Sequence, residues 1–217
     1  MIGVLNPDDK NKDYVWYEMG FFTRWRDGGY CQVLCVDTPP DLKCRLQTAL
    51  REMSLDFRDP FAMHAPLLDE VIYYNDRSVW AIRHPIRRIE KVSFFPQIYH
   101  ISHLTTADVP QNRPSAAPDF TIMHEITRHT IHVAEVLAVT IQTFEKFRVQ
   151  QEHIYASLAD VLGKGYREQA KEYLSFQLQM IRSLRERSIS NHERLKSEIV
   201  VVGDHSVPHF AWLENSA

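Results

Sequence analysis

The sequence predicts an α+β protein that is predominantly α: a small strand-and-helix part at the N-terminus, then three long helices, the last of them stalk-like. Three observations lead there. Aromatic and β-branched runs flank a Gly-Gly turn near the start, which is how a hairpin reads. Further on, two segments place apolar residues in alternating steps of 4 and 3, the period of a packed helix seam. A third segment is apolar-rich over its first half and charged over its second.

The elements follow in order. "YVWYEMGFFTRW" and "YCQVLCVD", separated by "RDGG", read as two strands and a turn. In "TPPDLKCRLQTALREM", Thr38 is the expected N-cap, Pro39 and Pro40 occupy the first helical positions, and Leu42, Leu46 and Leu50 form one stripe. In "LLDEVIYYNDRSVWAIRHPIRRIE", Leu68, Ile72, Asn75, Val79, Ile82, Ile86 and Ile89 make a seam with one polar residue in it. Pro85 removes a backbone hydrogen bond and predicts a bend near Ala81. Arg77, Arg83, Arg87, Arg88 and Lys91 give the other faces a basic character, read first as solvated and second as a phosphate or acidic-partner site.

Residues 92–118 break the pattern, and "QNRPSAAPD" within them reads as a loop. A second long helix is expected from Asp119 and a third over 165–199. That third helix is apolar through Tyr173, Leu174, Phe176, Leu178, Met180, Ile181 and Leu184. From Arg185 to Glu198 it holds so few apolar residues that it should run on largely exposed, frayed at low concentration. Gly203 and Pro208 then suggest an irregular tail. The domain reading is thus a small α/β part over 1–54, a long-helix part over 55–199 and a tail over 200–217.

Composition narrows the function. At 217 residues, 44% hydrophobic and 24% charged, the chain is long enough for one folded, soluble domain. A net charge of -3 exerts no global pull on nucleic acid or anionic lipid, so no nucleic-acid partner is assigned. Neither GxxxxGK[ST] nor GxGxxG occurs. Cys31, Cys35 and Cys44 are odd in number without a CxxC, which suits reduced, packed thiols rather than disulfides or a zinc ribbon. The N-terminus is not patterned as a signal peptide, and "IHVAEVLAVTI", the best apolar run, is interrupted by His132 and Glu135. This gives no membrane span and a cytoplasmic location for the chain as written.

"PDFTIMHEITRHTIH" is the segment that most suggests chemistry. His124-Glu125 opens like a zinc-protease helix, yet Arg128 stands at the position of the second ligand, a permanent cation where an imidazole is required. Glu125, His129 and His132, at i, i+4 and i+7, share a face and are the weak metal candidates. Against them, Ile122, Ile126, His129, Val133 and Val136 also step by 4 and 3, so His129 reads first as part of the helix seam. Asp8, Asp9 and Asp13 read as an exposed acidic terminus. No catalytic residue and no tightly bound cofactor is assigned, and the chain is read as no enzyme.

The blocks "WYEMGFFTRWRDGGYCQVLCVDTPPDLKCRLQTAL", "YYNDRSVWAIRHPIRRIEK", "PDFTIMHEITRHTIHVAEVLAVTIQTFE" and "LRERSISNHERLKSEI" resemble, in order, those of the fungal branch of the CorA-like magnesium transporter family. The resemblance runs from Tyr14 to Ile199, with residues 92–117 unmatched. It implies a cytosolic α/β domain that sends long helices towards a membrane, with Mg2+ or another divalent ion as cargo. It also implies a homo-oligomer, or association with intact CorA-like subunits, and membrane attachment within a longer transporter. The family's Gly-Met-Asn pore signature does not occur here, so no pore residue carries over. The expectation is a truncated or soluble member unable to form a pore alone. The alternatives are a soluble helical self-association or interaction protein and, behind it, a metal-dependent hydrolase.

Overall fold

A computed structural model describes the backbone of residues 2–5, 14–26, 30–101 and 120–214, and the side chains of 16–26, 30–91 and 120–202. Most of the "RDGG" turn, Asp8, Asp9, Asp13 and the "QNRPSAAPD" loop lie outside the described residues. The order is β1 (Ile2–Leu5), β2 (Tyr14–Tyr17), β3 (Gly20–Arg26), β4 (Tyr30–Val36), α1 (Leu42–Glu52), α2 (His64–Ile101), α3 (Phe120–Ser157) and α4 (Lys164–Glu214). The architecture is α+β and predominantly α, with three long helices after a small strand part.

Two antiparallel pairs make up the strands, β1 with β2 and β3 with β4. The run expected to form one strand breaks at Glu18 and Met19, and its first half pairs with a strand at Ile2–Leu5 that the sequence reading did not anticipate. In the β3–β4 hairpin the alternation of faces is strict: Phe21, Thr23 and Trp25 turn inward with Cys31, Val33 and Cys35. Phe22 and Leu34 pair across the outer face and are exposed. Burial pushes the Cys31 and Cys35 thiols up, which keeps them protonated and unreactive. Cys44 lies exposed on α1, not packed as the sequence suggested.

Helix α1 begins at Leu42, after both prolines, with Asp41 rather than Thr38 at the N-cap. The Asp41 carboxylate makes no cap bond; it accepts the Tyr74 hydroxyl at 2.8 Å and so ties α1 to α2. Arg45 strengthens that join, donating to Glu70 at 2.7 Å while its guanidinium lies 3.4 Å from the Tyr73 ring centroid.

The three long helices share one core. Gln177 donates to Ala65 O and Asp69, Asn191 to Val79 O, and Arg194 to Glu90, so α4 runs parallel to α2. Arg182 pairs with Glu145, while Ser188 and His192 meet Thr130, so α3 runs antiparallel to α4. The α2 seam is the one expected: Asn75, Val79, Ile82 and Ile86 are buried, with Leu68, Ile72 and Ile89 packed at its margin. Asn75 satisfies its amide on Val71 O of its own helix. The basic face of α2 is largely solvated, apart from Arg83, which pairs with Glu90.

Three expectations are corrected. First, the stretch from residue 92, which breaks the helical period in the sequence, continues α2 to Ile101, past Pro85 and Pro96. Second, α4 continues to Glu214 through Gly203 and Pro208, where an irregular tail over 200–217 was expected. A single Gly or Pro weakens a helix, by about 1 and 3 kcal/mol, without dictating that a long one ends there. Third, Arg185–Glu198 is not an exposed stalk. Leu184, Ser188, Asn191 and Leu195 are all buried, the same seam written partly in polar residues. Ser188 and Asn191 can be buried because each donates to a backbone carbonyl of a neighbouring helix, Thr130 O and Val79 O.

Candidate functional site

The histidine-rich stretch lies on α3, and its seam is one residue away from the one its spacing suggested. Met123, Thr130, Val133 and Leu137 enter the core, whereas Ile122 is 55% exposed. A stripe this wide is ambiguous by one position, because successive residues differ by about 100° around the helix. His129 therefore flanks the seam and is covered by Trp16 of β2, with ring centroids 5.7 Å apart. His132 meets the same indole edge-on at 4.5 Å.

Glu125 approaches His129 Nε2 at 3.2 Å and also pairs with Arg128, while His132 leans towards Glu135 at 3.8 Å. The three candidate ligands thus lie along one helix beside a tryptophan, two of them in contact and the third turned to another carboxylate. Desolvation lowers the His129 pKa despite the opposing pull of Glu125, so the ring is mainly neutral at neutral pH. Among the described residues no group of three or more His, Cys, Asp or Glu side chains could hold a metal ion.

A different constellation gathers at the end of the bundle where α2 and α4 begin and α3 ends. Residues 53–63 cross this end and hold Asp59, which is 2% exposed. Its Oδ1 accepts the Phe61 N–H at 2.8 Å in a tight turn; its Oδ2 accepts the hydroxyls of Tyr155 at 2.6 Å and Tyr166 at 3.0 Å. One carboxylate thereby joins the loop, the last turn of α3 and the first turn of α4. Burial nevertheless pushes the Asp59 carboxyl above the ordinary range, the three donors only partly offsetting it. Burial and the adjacent Asp59 charge also raise both tyrosines, keeping them as hydroxyl donors.

Beside this carboxylate lies a cavity of about 320 Å³, bordered by Asp59, Phe61, His64, Leu68, Phe147, Gln151, Tyr166, Tyr173, Leu174 and Gln177 among others. His64 packs its ring 4.3 Å from that of Phe147 and shares a hydrogen bond with Thr23 Oγ1 at 3.0 Å. Desolvation pushes its pKa down to about 4, so it is neutral at pH 7. At one side Asp69 accepts from Tyr173 at 2.6 Å and from Gln177 at 2.7 Å, fastening α4 to α2.

No known family, curated protein or solved structure matches the chain. The arrangement must therefore be read on its own chemistry. It offers a shaped hollow with aromatic walls and one buried carboxylate at its edge.

Sequence reasoning placed Leu68, Tyr173 and Leu174 of this hollow on apolar helix faces but singled out none of its residues as a site. Asp59 and Tyr155 are 96 positions apart, and no short-range spacing connects them. The one local sign was Asp59-Pro60 just ahead of a helical period, a combination common to many helix entries.

Proposed function

We propose that this chain is the cytosolic-type part of a CorA-like magnesium or divalent-metal-ion transporter, and that it carries out no catalysis. The observation that carries the reading is the order and direction of the elements. A small strand-and-helix part precedes three long helices, and α2 and α4 run in parallel towards one end. At 51 residues α4 is about 75 Å long, enough to connect a folded base with a distant layer. Among the described residues no helix is long and apolar enough to cross a membrane. In this reading Mg2+ is cargo, and the chain's part is to hold helices in register for other subunits.

Self-association of the chain is a second reading with its own support. Phe176 and Met180 sit one turn apart on the outer side of α4, and Val139 and Val149 are exposed on α3. Apolar side chains in such positions suit packing against equivalent helices.

The test joins ultracentrifugation with site-directed cross-linking. In a Cys44→Ser background, a thiol at the exposed position of Val200 on α4 should link copies whose α4 helices lie side by side and parallel. Sedimentation over a wide concentration range, with and without Mg2+, should show a reversible oligomer. A monomer at every concentration, with no Val200→Cys cross-link, would remove both readings.

A further inference from the structure

The cavity at the base of the bundle has an unusual hydrogen-bond polarity. Tyr155 gives its single hydroxyl proton to Asp59, so its oxygen can only accept, and it receives Gln151 Nε2 at 3.2 Å. That bond sets the orientation of the Gln151 amide and leaves Oε1 as the spare acceptor. Gln151 is 4% exposed and borders the cavity, yet its Oε1 has no hydrogen-bond partner. A buried acceptor without a donor is costly and uncommon, and one beside a cavity points to a missing donor.

The charge points the same way. Among the described residues Asp59 is the sole carboxylate lining the cavity, no lysine or arginine lines it, and His64 is neutral. Asp59 Oδ1 accepts one bond and has capacity for another. Phe61, Phe147, Tyr166 and Leu174 supply aromatic and apolar walls. We propose that this cavity binds a small primary alkylammonium ion, with Gln151 Oε1 and Asp59 accepting its N–H donors and its alkyl chain lying against Phe61, Phe147 and Leu174. An ammonium brings three donors and no acceptor, which complements acceptors left without donors. Aromatic faces favour a cation over a neutral isostere. The volume belongs to the small end of ligand cavities, about 300–1,000 Å³, and restricts the guest to a short chain. This site stands apart from the transporter reading and does not need it.

Titration calorimetry of the whole chain with n-butylammonium, n-butanol and butyrate tests the proposal. The ammonium should give saturable heat in the millimolar range or tighter, the alcohol should bind at least about tenfold more weakly, and butyrate should not bind. Gln151→Leu and Asp59→Asn should each weaken the ammonium by about tenfold or more. Because those residues also hold the bundle together, Ala170→Phe provides a second variant: it fills the cavity wall without touching a polar group and should abolish binding with an unchanged circular dichroism spectrum. Absence of saturable ammonium binding, equal binding of n-butanol, or full binding to a folded Ala170→Phe variant would each overturn the assignment.

Discussion

Tyr155 donates its hydroxyl proton to Asp59 at 2.6 Å, joining the last turn of α3 to the loop that precedes α2. The contact places the one buried carboxylate of the base under three donors and sets the Gln151 amide beside it. Tyr155→Phe removes a donor to Asp59 and the acceptor of Gln151 together. The expected cost is about 1–3 kcal/mol in urea unfolding. Tyr166→Phe, which removes one longer bond from a half-buried ring, should cost less. Equal, near-zero effects would mean that the network does not hold the base.

Asp59 should make stability fall as pH rises. Its carboxyl is raised in the folded state by desolvation, so the folded chain holds that proton more tightly than the unfolded one. The contribution is fully present below the ordinary aspartate pKa of about 3.9 and is lost as pH rises through the raised folded value. Asp59→Asn removes the slope. The stability of this variant relative to the parent should therefore improve from acid towards neutral pH, as read by urea unfolding at a series of pH values.

His64 works in the opposite sense. Its folded pKa is pushed down to about 4 by burial, so the unfolded chain binds the proton first as pH falls. Its contribution is present above the unfolded value of about 6.5 and is lost as pH falls through about 4, amounting to up to about 3 kcal/mol. His64→Gln, which can still meet Thr23, should flatten that part of the profile. A parent and variant with parallel curves between these limits would show that His64 is not buried neutral.

The join of α1 to α2 depends on Arg45. Its partner Glu70 has a side chain only 7% exposed, so Arg45→Ala leaves a buried carboxylate without its cation. A loss of about 1–3 kcal/mol is expected, reduced by the partial exposure of Arg45 itself. Arg45→Lys should recover only part, because an ammonium cannot both lie flat on Tyr73 and place a donor where Nε–H meets Glu70. Full recovery by lysine would reduce the contact to simple charge.

The second half of α4 should behave as core. Leu195 is fully buried, and Leu195→Ala is expected to cost about 2–5 kcal/mol. Amides over 185–198 should exchange as slowly as those over 174–184, since both stretches lie on the same seam. Rapid exchange confined to 185–198 would restore the exposed stalk that composition alone suggested.

Fold class, the strand character of the N-terminal runs, the approximate starts of the long helices and the inward face of α2 were legible in the order of amino acids alone. These are local properties: period, turn residues and β-branching act over a few neighbours, and Asn75, Val79, Ile82 and Ile86 kept their predicted side. The rest depended on contacts between segments distant in the chain. His129 or Thr130 as the inward residue of α3 was a choice between adjacent positions, settled by Trp16 arriving from strand β2. Ser188 and Asn191 read as surface until the carbonyls of Thr130 and Val79 came within reach to satisfy them. Asp59, Gln151, Tyr155 and Tyr166 had no pattern to share, because hydrogen bonds act over a few ångströms of space and are indifferent to the length of chain between the partners.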